Sequence, residues 1–448
     1  GDTYVEAGKL RIGMTNALPT GTTLHVNTGA TFDLSSGGYE NSDANYNQTI
    51  AGLNDGATGG GTVSANGTDA NLGTTRTLTV GGSGTYSFSG TLVDTSVAYT
   101  GSLALAINGG GTQILSGIST ATGATTVSNG STLQLGDGAT RNGAVGGAIA
   151  VDGTSFLIFS NPLTQTLSSA ISGTGAFVKN GAGALTLNGA NTFGGTLAVN
   201  TGELNLLGTT TTAATVASGA IFSPGGNAGD VTVDALTFNG ASIYKWEVSA
   251  TGTDRILVNG DLTVNGTPTL QLTNLDNTPP PASWAVIEYT GSLLNNAAWT
   301  IDYSQTSAGT ASNWTDGTGN WDDGANWDQQ GWGGGSIFYD TVNKKVMLTG
   351  VTASTSTPSS TTDVVIAPAA DAAVTGSAAP RTINSLVLGD SSANSHSLTL
   401  QAGAPLTTTT TVTVNPSGTL TATAAGLSAS HLTVTGTASL GGVIGIPT

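Results

Sequence analysis

Short stretches in which every second side chain is apolar recur along the chain: Thr77-Leu78-Thr79-Val80, Leu103-Ala104-Leu105-Ala106-Ile107, Thr132-Leu133-Gln134-Leu135, Leu185-Thr186-Leu187, Leu262-Thr263-Val264 and Leu398-Thr399-Leu400. A period of two sends alternate side chains to opposite sides of an extended backbone. Gly, Asn or Asp follows closely each time, and these residues accept φ > 0 or bond their own turn amides. The pattern predicts strand, tight turn and strand over nearly the whole length. Thr, Val, Gly, Ser and Asn dominate while Lys, Glu, Gln and Met are scarce, so helix has little support.

The phrase itself repeats. Gly111-Thr112-Gln113-Ile114-Leu115-Ser116-Gly117 aligns with Gly183-Ala184-Leu185-Thr186-Leu187-Asn188-Gly189 at an offset of 72, which also carries Val127 onto Val199 and Gly130 onto Gly202. The segments 24–32, 262–270 and 412–420 share "apolar, x, Val, Asn" at the start and an apolar residue at the ninth position, with a glycine between them at the sixth, fifth and seventh position respectively. Such repetition predicts stacked coils. In a β-solenoid inward positions pile apolar side chains, outward positions take Thr, Ser and Asn, and Gly or Asn turns the corners. At roughly 20 residues per coil the chain would make on the order of 20 coils. Sandwich strands are longer and recur every 8–12 residues, which fits less well.

Composition sharpens this reading. Glycine supplies 67 of 448 residues, charged residues are 8 %, hydrophobic residues 38 %, and cysteine is absent. Charge-driven disorder, a collagen period, a disulfide scaffold and a zinc-thiolate site are all excluded. A net charge of −17 argues against nucleic acid as a partner, which needs cationic surface. No apolar run reaches membrane-spanning length. The first residues carry no signal peptide, so an exported protein would be numbered from after processing. A long chain without cysteine fits life outside the cytoplasm.

All seven tryptophans lie between Trp246 and Trp332, and Asn277-Thr278-Pro279-Pro280-Pro281 reads as a break. The expected organisation is solenoid repeats over 1–240, a β-rich continuation over 241–310, a Trp/Asn/Asp/Gly-rich irregular junction over 311–336, and a second solenoid over 337–448.

Val5-Glu6-Ala7-Gly8-Lys9-Leu10-Arg11-Ile12-Gly13, Gln48-Thr49-Ile50-Ala51-Gly52-Leu53, and the run from Gly183 through Asn191-Thr192-Phe193-Gly194-Gly195 to Glu203-Leu204 resemble the autotransporter-associated β-strand repeat. The stretch from Asn313-Trp314 to Trp327 is similar to the opening of a further block in such proteins. The resemblance implies a right-handed parallel β-helix, exported to the bacterial surface in proteins that serve as stalks, adhesins or coats. The family's membrane barrel has no counterpart in the C-terminal residues here, which lack long amphipathic strands.

Tyr4 to Gly8 and Leu432 to Gly436 read as half repeats, and neither end shows a polar cap. The expectation is head-to-tail stacking of copies into a filament. The rival reading is an adhesin. Asp316, Asp322, Asp323 and Asp328 fall among Trp314, Trp321, Trp327 and Trp332, a candidate calcium site or glycan platform, although the spacing is not that of an EF-hand. No cofactor is expected. Asn47, Asn66, Asn129, Asn265 and Asn313 open Asn-x-Ser/Thr sequons, candidate glycosylation positions. Catalysis is not expected. The five glutamates are scattered, Asp230, Asp234, Asp254 and Arg255 read as corner or surface charges, and His25, His396 and His431 read as outward strand residues.

Overall fold

A computed structural model describes residues 1–34, 46–65, 75–94, 101–210, 212–225, 229–249, 251–275, 283–305, 311–313, 318–320, 330–355, 363–366, 372–377, 380–383, 385–391, 394–400, 404–422, 427–428, 431–434, 437–440 and 444–445. Among these residues every regular element is a strand, and the strands form nine sheets. Neighbours within a sheet run parallel, apart from three antiparallel strand pairings.

The winding is plain over one coil. Strands Ile149–Val151, Phe156–Phe159 and Gln165–Leu167 follow one another in sequence but belong to three different sheets. The next three, Ile171–Gly173, Ala176–Lys179 and Leu185–Leu187, pair with them in the same order, Ile149 with Ile171, Phe156 with Ala176 and Gln165 with Leu185. The chain therefore climbs a three-sided column, and each coil's main chain is satisfied by the coils above and below. Coil length varies, from 17 residues between Leu197 and Ala214 to 31 between Leu262 and Leu293, and to 52 between Ala311 and Asp363, where the hairpin described below intervenes. Corner loops absorb the difference, so the column has fewer coils than a uniform twenty-residue coil would give.

Alternation decides what is inside. In Thr132–Leu135, Leu133 and Leu135 are buried while Thr132 and Gln134 reach solvent. Stacked inward positions form one apolar core from Val5 to Val351 and a second from Val364 to Leu427. Phe159, Phe177 and Phe193 stack in succession with ring centroids 5.4 and 5.3 Å apart, a geometry aromatic quadrupoles favour. His396 corrects the sequence reading. It shares the side of Leu398, is fully buried, and its Nδ1 lies 3.0 Å from the Ser417 hydroxyl.

The recurring phrase is a corner. Val26 ends one strand, Gly29 turns at φ 80°, and Phe32 continues on the next face; Gly202, Gly219 and Gly266 repeat this at φ 70°, 80° and 78°. Each turn needs the left-handed region that L side chains avoid. The offset of 72 has a further meaning. Thr112–Leu115 lies in the ten-stranded sheet, whereas its match Leu185–Leu187 lies in the neighbouring sheet. The second copy is thus shifted by one side of the column, although each copy spans a full coil: Thr112 stacks on Thr132 in the first and Leu185 on Leu204 in the second.

One side of the column carries a dislocation. Gly52–Asp55 ends a three-stranded sheet and Thr85–Phe88 begins the ten-stranded one. Side chains replace the missing ladder: Asn54 and Asp55 accept from the Ser87 and Ser89 amides, and buried Gln113 both accepts from the Leu53 amide and donates to its carbonyl. Farther on, Gln330–Asp340 and Lys345–Thr355 form a long antiparallel hairpin, and Lys345–Thr355 lies antiparallel to Ser283–Tyr289. The sequence pattern did not announce this hairpin, and position 337 falls within its first strand.

Candidate functional site

Charge is rationed in this chain, and much of it converges around the strand Ile243–Ser249. On one outward row Lys245 lies 3.1 Å from Glu203 and 3.5 Å from Glu247. Burial opposes the ammonium charge, but the two carboxylates overcome it and raise the Lys245 pKa. On the next sheet Arg255 lies 2.6 Å from Asp230 and 3.1 Å from Glu288, which also holds Lys345 at 3.2 Å. Asp230 pairs with Arg255 in the strand register, so parallel stacking sets the first contact.

Asp254 sits between these groups, and it is fully buried. Its Oδ1 accepts from the Gly229 amide and its Oδ2 from the Glu247 amide, both at 2.9 Å. Its carbonyl accepts from the Trp246 indole at 2.7 Å. Burial pushes the carboxyl up to about 7, against the two amide donors that hold it down; Glu247 adds to the rise. The expectation of a surface charge is therefore wrong for Asp254. A perturbed carboxyl in a cleft would be a catalytic candidate. Wholly enclosed and saturated by backbone, this one staples the turn Val248–Thr253 to the coil below.

A cleft of about 380 Å³ opens where the column meets the hairpin, walled by Trp299, Ile301, Tyr303, Ile337 and Tyr339. The Trp299 indole donates to the Tyr339 hydroxyl at 2.8 Å, and that hydroxyl donates to the Ala297 carbonyl at 2.6 Å. Tyr303 donates to the Gly334 carbonyl. Burial pushes the Tyr339 hydroxyl up to about 12 and raises that of Tyr303, so both stay neutral donors. Flat rings with fixed polar tips can hold a ring-shaped ligand; no lining residue carries a charge. Sequence reasoning missed these residues, although Trp299 and Tyr303 stand two strand-periods apart, a readable signal.

The candidates from the sequence are placed as follows. Trp314, Trp321, Trp327, Asp316, Asp322, Asp323, Asp328 and Asn66 lie outside the described residues. Trp332 and Asn313 lie on strands Gln330–Asp340 and Ala311–Asn313, where the backbone alone is described. Asn47 and Asn129 are exposed. Asn47 accepts from the Thr77 amide, and Asn129 donates to the Asn108 carbonyl. Asn265 donates to Asn239 and accepts from Asn295, both at 2.9 Å, which makes a ladder along one corner. Among the described residues no three His, Asp or Glu side chains are grouped to hold a metal ion. No helix there is long and apolar enough to cross a membrane.

The family model of the passenger-associated-transport repeat matches at residues 108–135 and 177–206. No curated protein matches the chain. The first match covers three strands that begin in the ten-stranded sheet; the second covers the strand-and-corner units that follow Ala176–Lys179. Both lie in the regular part of the column. The two matches cover 28 and 30 residues, and with these repeats set in a parallel solenoid the chain is similar to an autotransporter-associated β-strand repeat protein and fits a passenger-like domain.

Proposed function

We propose that the protein is a structural component of the bacterial exterior, a rod of stacked coils that joins end to end with further copies as a filament or coat. The carrying observation is the inter-coil ladder. A rung such as Thr132–Leu135 is paired along both edges, so the edge that one coil offers is the edge that the next coil needs. An unpaired strand edge is a template for another strand in register. A chain with few charges also lets copies pack without repulsion at every contact. This reading involves no catalytic step.

Electron micrographs of the purified chain test it. Fibres whose number rises with protein concentration are expected, and removal of residues 1–11 should abolish them. Dispersed particles at all concentrations, or fibres unchanged by the truncation, would overturn it.

The cleft favours a second reading, an adhesin that takes a saccharide ring against Trp299 and Tyr303 at the edge of the Trp-rich segment. Glycan-array binding that disappears in Trp299→Ala, with dispersed particles in the micrographs, would favour it over the filament. Loss of the same binding in a Trp321→Ala, Trp327→Ala double variant would extend the site into that segment.

A further inference from the structure

The ten-stranded sheet presents one flat outward face, and that face carries no charge. Its ten strands contain a single ionisable charged residue, Lys179, which points inward, is fully buried, and donates to the carbonyls of Gly181 and Thr201. The whole chain has 37 charged residues, 10 basic and 27 acidic. The neighbouring sheet carries Glu203, Lys245 and Asp302 outward, and another carries Asp230, Arg255 and Glu288.

The uncharged face has a graded pattern. At its centre stand Ile114, Phe156, Ile158, Ala176, Val178 and Ala198, all reaching solvent, with Phe156 43 % exposed. Strand register puts Ile158 beside Val178 and Val178 beside Ala198, so the apolar groups are contiguous. Toward one end this row continues through Gln134 to Ile114, and toward the other through Thr215, Thr237 and Thr263 to Leu294; the row beside it runs from Thr112 and Thr132 to Phe156 and Ala176. An apolar centre flanked by uncharged polar side chains, Thr112, Thr132 and Gln134 on one side and Thr215, Thr237 and Thr263 on the other, has the anatomy of a protein interface.

We infer that this face pairs with the same face of a second copy, in an antiparallel, two-fold arrangement centred near Val178. Symmetry supports the choice. Turning one copy about an axis through Val178 sets its Thr112–Thr132 end against the Thr215–Thr263 end of the other, and the apolar centres coincide. Charge supports it too. Two molecules of net charge −17 repel except where they meet through uncharged surface. Size sets the strength. Ten rungs span roughly 43 Å and the strands about 12 Å, so each side offers about 500 Å², with sheets about 10 Å apart. A total near 1,000 Å² is at the low end for specific interfaces, which predicts a reversible, concentration-dependent dimer. This association is lateral and independent of the end-to-end stacking proposed above.

Sedimentation velocity over a concentration series tests the inference. The unmodified chain should pass from monomer to dimer, while Val178→Lys should dimerise roughly tenfold or more weakly, because each copy would bury an unpaired charge. Thr126→Lys, the same charge change on a different sheet, should dimerise as the unmodified chain does. Far-UV circular dichroism and thermal melting should be equal for all three. The chain has no cysteine, so a single Val178→Cys should be linked to its own copy by a short thiol-specific bifunctional reagent that spans the gap of about 10 Å between facing sheets, and a single Thr263→Cys should not. A chain that stays monomeric throughout, a Val178→Lys variant that dimerises normally, or equal cross-linking of the two cysteine variants would overturn the proposal. So would retention of a polysaccharide on this face without any dimer. End-to-end fibres do not use the face and should persist in Val178→Lys, which keeps the two proposals separable.

Discussion

Single residues in this fold are governed by the side on which the period of two leaves them. Asp254 precedes Arg255–Val258, in which Arg255 points out and Ile256 in, so extending the alternation by one residue already sends Asp254 inward. His396 shares the parity of Leu398 in the same way. Both positions were legible in the sequence; what obscured them was the habit of assigning polar residues to the surface. The buried carboxyl has a consequence for stability. Its folded pKa is about 7 against an ordinary 3.8, so the folded state holds a proton that the unfolded chain has released between those values. Stability therefore falls as pH rises from about 4 to 7. Asp137 and Asp152 act in the opposite sense. Backbone and hydroxyl donors in their turns outweigh desolvation and hold both carboxyls at about 2, so their contribution is lost as pH drops below about 4. The melting temperature should peak near pH 4, and Asp254→Asn should flatten the decline between pH 4 and 7. Melting curves across pH check this; a decline of the same slope in the variant would rule out Asp254 as its source.

At the scale of the element, strands and corners were readable because their determinants are local: alternation for the strand, a glycine at positive φ for the turn. Close approach makes a second demand on glycine. A methyl at Gly117 would overlap the Gly90 carbonyl of the coil below, so Gly117→Ala should cost about 2–4 kcal/mol, measured by denaturant unfolding. Phe177 holds the middle of a three-ring stack, and Phe177→Ala should cost about 3–5 kcal/mol by the same measurement. The hairpin of Gln330–Asp340 and Lys345–Thr355 was not readable. Its first strand contains Trp332-Gly333-Gly334-Gly335, a run that suggests a loop, and its pairing with Ser283–Tyr289 spans more than fifty residues. Nor was the cleft, because Trp299 and Tyr339 meet only through that long-range pairing.

For the molecule as a whole, the sequence carried the architecture and left the surfaces to the structure. Charge count was available from composition, but its segregation, with ion pairs on two sides and none on the ten-stranded face, follows from how coils of unequal length stack. If the rod both stacks by its ends and pairs by its uncharged side, fibres should thicken as protein concentration rises; in Val178→Lys they should stay at single-rod width in micrographs.

Because the same phrase sits on one sheet at Thr112–Leu115 and on the next at Leu185–Leu187, its copies keep no fixed bearing around the column, and inserting or deleting a lone strand with its corner would rotate everything downstream by one side of the prism. A patch could thus be carried to a new bearing without altering a residue within it. In such a column, compass direction is a matter of counting.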